Sequence, residues 1–297
     1  MRFLNLSSDD YANMAHNNAR ALRSIGIDCV DLTLNKHVFD YESQSISTAT
    51  NSIKAIYKNF DVVQVFHSCP VIFDLVKDHP KLIVYHSGTR YRNEPEKFNE
   101  LFNPHVLMSF TDQCEFMGLG AKNLHYIAPH IELKPVFKRG TGKTIIGHYP
   151  SKASVKGTNE IRQMLKPFED MFEIRIDETL IPHEENLKRI AECHIYVELY
   201  KPTLFDKPYG CFGVTAFEAT SLGCQVVTNN INPPAYENEY GSCAFKIANT
   251  QEDFHATILA LSEMRKLQLM TSEDFYMKHN IEATGKRIIE TIKKYES

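Results

Sequence analysis

Short apolar runs and helical patterns alternate along almost the whole chain. The first run, residues 2–6, is followed by apolar residues at helical spacing that Gly26 ends, and another run follows at 29–34. Strands that alternate with helices in this way are typical of parallel sheets covered by helices on both faces. The sequence therefore predicts an α/β fold with doubly wound sheets. The predicted strands lie at 2–6, 29–34, 61–66, 81–85, 106–110 and 124–127, and then at 144–147, 172–176, 195–199 and 226–228.

The alternation occurs in both halves of the chain, and a segment of linker composition separates them. With 297 residues the chain is long enough for two domains that each have their own core. Residues 134–143 contain Pro135 and two glycines and predict the linker. We therefore expect an N-terminal Rossmann-like domain over 1–135 and a C-terminal one over 136–275. Isoleucines at helical spacing predict a long helix in 276–297.

Charge and cysteine content exclude several classes of protein. A net charge of −4 gives no electrostatic reason to expect nucleic acid or an anionic membrane as the main partner. The seven cysteines are odd in number and never spaced as Cys-x-x-Cys, which argues against a structural zinc site and a disulfide framework. No apolar run reaches the length of a membrane span, and the first residues do not resemble a signal peptide. We expect a cytoplasmic protein without an integral membrane segment.

A glycine-rich loop leads into a short helix at residues 209–228. Gly210 and Gly213 lie in the loop, Glu218 lies about one turn into the helix, and Gly223 ends it before an apolar strand. Glycines at such a junction let a ligand approach the backbone, and the first N–H groups of the helix attract an anion. Taken alone, the same pattern also describes a turn whose glycines only permit tight packing.

A second loop combines a basic residue with a helix start. His148 and Ser151 follow the predicted strand at 144–147, and Lys156 and Gly157 precede the next helix. A lysine beside a helix N-terminus adds to the attraction of the helix dipole for an anion. In isolation, this segment indicates no more than the beginning of a helix.

Together, the two loops resemble the donor-binding motif of retaining glycosyltransferases with the GT-B fold, in the large family with a Glu-x7-Glu motif. This chain has Gly210 at the position of the first Glu and Gln225 in place of the usual Pro. The resemblance implies GT-B architecture, with two Rossmann-like doubly wound domains facing a central cleft. The first would be the acceptor side, the second would bind the donor, and the C-terminal helix would cross back to the first. The residues in register with the motif are Phe212, Gly213, Glu218, Ala219, Gly223, Val226 and Val227.

The resemblance implies an enzyme that transfers a hexosyl or pentosyl group from a nucleoside diphosphate sugar, with retention of configuration. Metal independence and the absence of a cofactor are also implied, and the sequence contains no Asp-x-Asp motif of the kind that binds a cation. The acceptor stays open among a sugar, a lipid-linked sugar, a protein and a modified DNA base. Two alternatives also stay open: a non-catalytic nucleotide-sugar-binding protein, and a nucleotide-sugar epimerase on the same fold.

Candidate site residues follow from the resemblance and from the rule that functional groups collect at the carboxyl ends of parallel strands. Lys156 and the amides near Gly213 would hold the diphosphate, and Glu218 the ribose hydroxyls. The first basic residue of the family is matched by either His148 or Lys152, and Asp206 is a candidate to replace the missing Glu. The catalytic candidates are His86, Lys156 and Glu218; the donor-binding candidates are His148, Ser151, Lys152, Lys156, Gly210, Phe212, Gly213, Val214, Thr215 and Glu218; the acceptor-side candidates are His67, Gly88 and Arg90; no metal ligand is expected.

Overall fold

The computed structural model describes residues 1–36, 41–132, 142–264 and 273–295. The chain forms two compact units, one comprising Met1–His130 with His279–Ser297 and the other Ile131–Lys278. The predicted domain boundary at 135/136 lies outside the described residues. In the described part, no helix is long and apolar enough to cross a membrane.

The first unit is built on a parallel sheet. In the described residues this sheet has seven strands in the order β3-β2-β1-β4-β5-β6-β7. The central strands β4 and β5 are buried on both faces, which is why their sequences are mainly apolar; the side chains of Gln64 and His86 are buried with them. The elements are β1 (Arg2–Asp9), α1 (Met14–Ser24), β2 (Asp28–Asn35), β3 (Ile46–Ser47), α2 (Thr50–Ile56), β4 (Val62–Phe66), α3 (Pro70–Val76), β5 (Leu82–His86), α4 (Gly88–Asn93), α5 (Pro95–Phe102), β6 (Met108–Thr111) and β7 (Leu124–Tyr126).

Asp10 determines where the first helix begins. The sequence predicts Asp9 or Asp10 as its cap, yet α1 starts only at Met14 because the two residues before it adopt left-handed backbone conformations. The Asp10 carboxylate accepts hydrogen bonds from the backbone N–H groups of Ala15, at 2.7 Å, and His16, at 3.0 Å. Asp10 therefore satisfies two unpaired donors at the start of α1 across an intervening turn.

The second unit has its own parallel sheet. In the described residues this sheet has five strands in the order β14-β13-β10-β8-β9. A short antiparallel hairpin, β11–β12, also occurs there and was not expected from the sequence. The elements are β8 (Ile145–His148), α6 (Ala153–Lys156), α7 (Thr158–Leu165), β9 (Glu173–Ile176), α8 (His183–Ala191), β10 (Ile195–Leu199), β11 (Thr203–Leu204), β12 (Lys207–Pro208), α9 (Val214–Ser221), β13 (Gln225–Thr228), α10 (Pro234–Tyr240), β14 (Lys246–Ile247), α11 (Gln251–Met264) and α12 (Glu273–His279).

The strand orders confirm the predicted α/β class and locate one switch point in each sheet. In the first sheet, the chain moves outward from β1 on one side and from β4 on the other. In the second, β8 leads to β9 on one side, and β10 leads to β13 and β14 on the other. Ligands of open α/β sheets bind beyond the carboxyl ends of the strands at such switch points. The candidate ligand sites therefore lie at β1/β4 in the first sheet and at β8/β10 in the second.

The C-terminal helix α13 (Ile281–Lys293) belongs to the first unit. The side chain of Asn280 caps it by accepting a hydrogen bond from the backbone N–H of Ala283 at 2.8 Å. Gly285 is the point of close approach to α1, since a Cβ there would overlap the carbonyl oxygen of Ala21.

We predict that Gly285→Ala destabilises the protein by about 1–3 kcal/mol. In an exposed helix this change is stabilising, because alanine is the better helix former. Here the added methyl group has no room against Ala21, so the sign reverses. Urea unfolding measures the effect, with Lys286→Ala on the exposed face of the same helix as the matched control. An increase in stability for Gly285→Ala would contradict the close packing of α13 on α1.

Candidate functional site

Three residues meet at the β8/β10 switch point of the second unit. Lys156, the last residue of α6, directs its Nζ to Oε1 of Glu198 on β10. Gly213, the residue before α9, lies against both side chains. A Cβ on it would overlap Glu198 Oε1 and lie 2.6 Å from Lys156 Nζ. The missing side chain of Gly213 thus leaves the space that the lysine and the carboxylate occupy.

Backbone contacts hold this arrangement together. The backbone N–H of Tyr200 donates to the carbonyl oxygen of Lys156 at 3.2 Å, which joins the end of β10 to the end of α6. Gly157 has a left-handed conformation with φ of 73°, and a Cβ there would overlap the carbonyl oxygen of Tyr200. Only glycine satisfies both conditions without strain. The fold therefore requires a glycine directly after Lys156, whatever the lysine binds.

Glu198 is the buried carboxylate of the site. Its side chain is 1% exposed, whereas that of Lys156 is 16% exposed. Burial raises the pKa of Glu198, the ammonium group of Lys156 opposes that shift, and the charge of Glu218 adds to it. The register between β10 and β13 shifts around Glu198, from Val197 to Leu199. A bulge of this kind redirects a side chain and is common beside functional sites.

Glu218 lies on α9 and is paired with a histidine that the sequence did not single out. Its Oε1 lies 2.6 Å from Nε2 of His183, the first residue of α8. The Glu218 side chain is partly accessible, with 15% exposure. Its hydrogen bond to the ring raises the pKa of His183. The pair therefore presents a carboxylate near the start of α9 that a histidine orients.

The predicted basic loop has one exposed and one buried member. His148 is fully buried, with Nδ1 donating to the carbonyl oxygen of Val197 at 2.7 Å and Nε2 accepting from the Thr158 hydroxyl at 2.9 Å. Burial lowers its pKa to about 4, so the ring is neutral near pH 7. The structure corrects this candidate to a structural histidine, while Ser151 and Lys152 are exposed.

The residue at the position of the missing Glu of the motif, Gly210, is enclosed by protein. A Cβ at Gly210 would overlap the Nδ2 atom of Asn229, so this glycine is packed against protein. Phe212 is fully buried and makes an edge-to-face contact with Phe245, with ring centroids 4.8 Å apart. Asp206 lies exposed in the β11–β12 turn with φ of 59°, a conformation that a hairpin turn needs.

Val214 and Thr215 form the first turn of α9. Both are half-buried, and they follow Gly213, which is the N-cap residue of the helix. Their position leaves the first N–H groups of α9 directed toward the end that Gly213 occupies.

His86, the preferred catalytic histidine, lies inside the first unit. The side chain is fully buried, and its Nδ1 is hydrogen-bonded to the hydroxyl of Ser68 at 2.9 Å. Tyr91 packs on the ring at a centroid distance of 4.0 Å. Burial lowers the pKa of His86 to about 3. His86 is the last residue of β5, and Tyr91 of α4 and Phe102 of α5 pack against its ring, so the structure corrects His86 to a core residue.

His67 belongs to a polar network at the β1/β4 switch point. Its Nδ1 lies 2.5 Å from the Ser87 hydroxyl and its Nε2 lies 3.4 Å from Oδ1 of Asp10. Because the carboxylate accepts from Nε2–H, the ring accepts the Ser87 proton through Nδ1. His67 has φ of 60°, and Arg90 Nη1 donates to its carbonyl oxygen at 3.2 Å. Gly88 is exposed, with φ of 70°.

Sequence reasoning missed Glu198, His183 and the network role of Asp10 and Ser87. Only Glu198 left a clear signal, as a charged residue within the apolar run 195–199. Among the described residues, no group of three or more His, Cys, Asp or Glu side chains is arranged to hold a metal ion.

Comparison with known proteins identifies the fold. No protein-family model matches the sequence, and no curated protein matches it significantly. The chain resembles the lipopolysaccharide outer core galactosyltransferase WaaB with a TM-score of 0.61 and 9% identity over 99% of both chains. It also resembles AviGT4, a glycosyltransferase of avilamycin A biosynthesis, with a TM-score of 0.56 and 10% identity over 99% of this chain and 98% of that one.

A third solved structure, T4 phage BGT in complex with UDP and Mn²⁺, gives a TM-score of 0.54 and 9% identity over 98% of this chain and 99% of that one. At such low identity, these likenesses establish architecture alone. They confirm the expected GT-B fold with its two Rossmann-like domains, whereas the retaining class stays a prediction. The chain therefore has the GT-B fold.

We predict that His86 makes stability fall in mild acid. The pKa of His86 is about 3 in the folded protein, whereas its ordinary value is 6.5. At a pH between these two values, the unfolded chain binds a proton at His86 that the folded protein does not bind. Stability therefore decreases as pH falls, by about 1.4 kcal/mol per pH unit for one such group.

Urea unfolding of wild type and His86→Leu from neutral to mildly acidic pH measures this contribution, and the variant should show the shallower pH slope. His183→Leu is the control, because its raised pKa gives a contribution of opposite sign. Equal slopes for wild type and His86→Leu would contradict the burial of a neutral His86.

Proposed function

We propose that this protein is a glycosyltransferase that moves a hexosyl or pentosyl group from a nucleoside diphosphate sugar to an acceptor, with retention of configuration. The observation that carries the proposal is Lys156 beside Gly213 and the start of α9, at the β8/β10 switch point of a GT-B fold. A partly exposed ammonium group and free helix N–H groups together suit a diphosphate.

The donor diphosphate is the leaving group of the proposed reaction. Glycosyl transfer passes through a transition state of oxocarbenium character, in which negative charge develops on the departing phosphate. Lys156 and the N–H groups of Val214 and Thr215 are preorganised donors for that charge. Lys152, the residue before α6 begins, adds an exposed positive charge. No metal or cofactor is required for this stabilisation.

Glu218 is the proposed ligand of the ribose hydroxyls. A carboxylate accepts two hydroxyl hydrogen bonds at once, and His183 restricts the orientation of this one. Its place on α9, five residues after Gly213, is suited to a nucleoside whose diphosphate contacts the start of the helix.

On the acceptor side, the network of Asp10, His67 and Ser87 is the proposed contact for the acceptor hydroxyl. A hydroxyl that replaces Ser87 as the donor to His67 Nδ1 would be oriented by a ring that Asp10 fixes. In a retaining transfer the leaving phosphate itself takes the acceptor proton, so His67 orients the acceptor and is not required as a base.

The test is product formation from a panel of nucleoside diphosphate sugars, after a thermal-shift screen selects those that bind. Release of nucleoside diphosphate with formation of a glycoside supports transfer, and an unchanged rate in EDTA supports metal independence. Binding without turnover would indicate the non-catalytic protein, and conversion of the donor sugar into its epimer would indicate the epimerase. The anomeric configuration of the glycoside, measured by NMR, tests retention.

We predict that Glu218→Ala weakens binding of UDP or GDP more than tenfold, a loss of at least about 1.4 kcal/mol. The reason is the loss of the carboxylate that accepts the ribose hydroxyls. Isothermal calorimetry measures this loss, and Glu237→Ala, at an exposed position of α10, is the matched control. Unchanged affinity in a folded Glu218→Ala protein would remove Glu218 from the donor site.

We predict that His67→Asn lowers the transfer rate by about tenfold or more and leaves donor affinity unchanged. Asparagine keeps a hydrogen-bonding group in the left-handed conformation that His67 adopts, so the backbone is retained. Steady-state kinetics with varied acceptor, together with donor calorimetry, separate the two effects. Loss of donor affinity in this variant would contradict an acceptor-side role.

A further inference from the structure

Glu198 is an unexpected residue for a site that binds diphosphate. Its carboxylate is almost completely buried and contacts the same Lys156 that would bind the anion. Its Oε1 also occupies the space beside the Cα of Gly213, at the start of α9. In the ligand-free protein, the place that suits a phosphate oxygen is therefore adjacent to a carboxylate of the protein itself.

A purely structural ion pair with Lys156 does not explain why a carboxylate is buried at position 198. Burying a carboxylate costs several kcal/mol of desolvation, and an apolar side chain would fill a strand position at lower cost. The pair is also unbalanced, because Glu218 brings a second carboxylate whose charge acts on Glu198. A diphosphate that reached Lys156 would add further negative charge to a group of two carboxylates, one ammonium and the imidazole of His183, which is paired with Glu218.

We propose that, when diphosphate binds, the Glu198 carboxylate gives up its ion pair with Lys156 and takes up a proton. In the free protein, Glu198 is ionised and pairs with Lys156. In the complex, Glu198 is protonated and donates its O–H to a diphosphate oxygen, and Lys156 turns to the phosphate. The inference rests on the proposed function in that it takes the Lys156 region as the diphosphate site.

The exchange balances without any other reactant. One proton is taken from solvent when the diphosphate enters and is returned when it leaves, and no covalent bond is made or broken. The groups that face Glu198 are Lys156 from α6, Glu218 from α9 and the phenol of Tyr196 on the same strand. Burial already favours the neutral form of Glu198, and an added anion acts in the same direction.

The sign of the pH dependence follows from this exchange. The bound diphosphate raises the pKa of Glu198, so wild-type affinity rises as pH falls through the interval between the free and bound pKa values. Glu198→Gln has the shape of the protonated residue at every pH and lacks this contribution. The ratio of the two dissociation constants isolates the effect, because the ionisation of the ligand itself cancels.

The experiment measures inorganic pyrophosphate binding to wild type and Glu198→Gln by calorimetry, at about pH 8.5 and at about pH 5.5. We expect Glu198→Gln to bind at least about tenfold more tightly at the higher pH, the equivalent of one pKa unit, and equally at the lower pH. Glu160→Gln is the matched control, because Glu160 also pairs with a lysine, Lys201, but lies on the surface. Lys156→Met should abolish the gain in the Glu198→Gln background.

The results separate this proposal from the proposed function. Weaker or equal pyrophosphate affinity for Glu198→Gln at the higher pH, or no binding to either protein, overturns the exchange and leaves Glu198 as a structural partner of Lys156. A gain that follows pH as expected supports the exchange even if no nucleoside diphosphate sugar is turned over, in which case only the proposed function fails.

A second measurement needs no substitution. Wild-type calorimetry in two buffers of different ionisation enthalpy reports the protons taken up on binding, after subtraction of those that pyrophosphate exchanges by itself. Uptake that approaches one proton per site supports the exchange. Zero uptake throughout the pH interval overturns it, whether or not Glu198→Gln folds.

Discussion

The contact between Lys156 and Glu198 is the interaction on which the second unit's site depends. It joins the junction of α6 and α7 to β10, where Tyr200 adds a backbone hydrogen bond to the same lysine. A Cβ on Gly213 would obstruct this contact, and a Cβ on Gly157 would overlap the carbonyl oxygen of Tyr200 beside it. The ion pair therefore joins two segments that are 42 residues apart in sequence, and Gly213 packs against both of its members.

The two loops of this site were predicted from the sequence, whereas the direction of the Glu198 side chain was not, although a charged residue within an apolar run marked its position. Gly157, Gly213 and Lys156 belong to local turn and helix-start patterns, which depend on neighbouring residues alone. The direction of the Glu198 side chain depends on the register shift between β10 and β13, which are distant in sequence. His86 shows the same limit, since it is the last residue of β5 and its burial depends on Tyr91 and Phe102, which belong to the two helices that follow.

The fold was predictable to the extent that burial leaves a continuous apolar signal. Strands such as β4 and β10 are covered on both faces and were recognised at once. The helix α4 was not predicted because it has only six residues, too few for a helical period to show, and one of its two buried residues is the charged Arg92. The hairpin β11–β12 has strands of two residues each, too short for any periodicity to show.

The networks at the two switch points differ in the kind of charge they can accommodate. The network of the first unit is a chain from Ser87 through His67 to Asp10, in which each group passes a hydrogen bond to the next. Such a chain suits a neutral ligand with an exchangeable hydroxyl proton. The network of the second unit contains the ammonium group of Lys156, which is paired with Glu198 and suits an anion. The proposed transfer involves an acceptor hydroxyl and an anionic leaving group. The buried polar groups of the first unit suit the hydroxyl, and those of the second unit suit the anion.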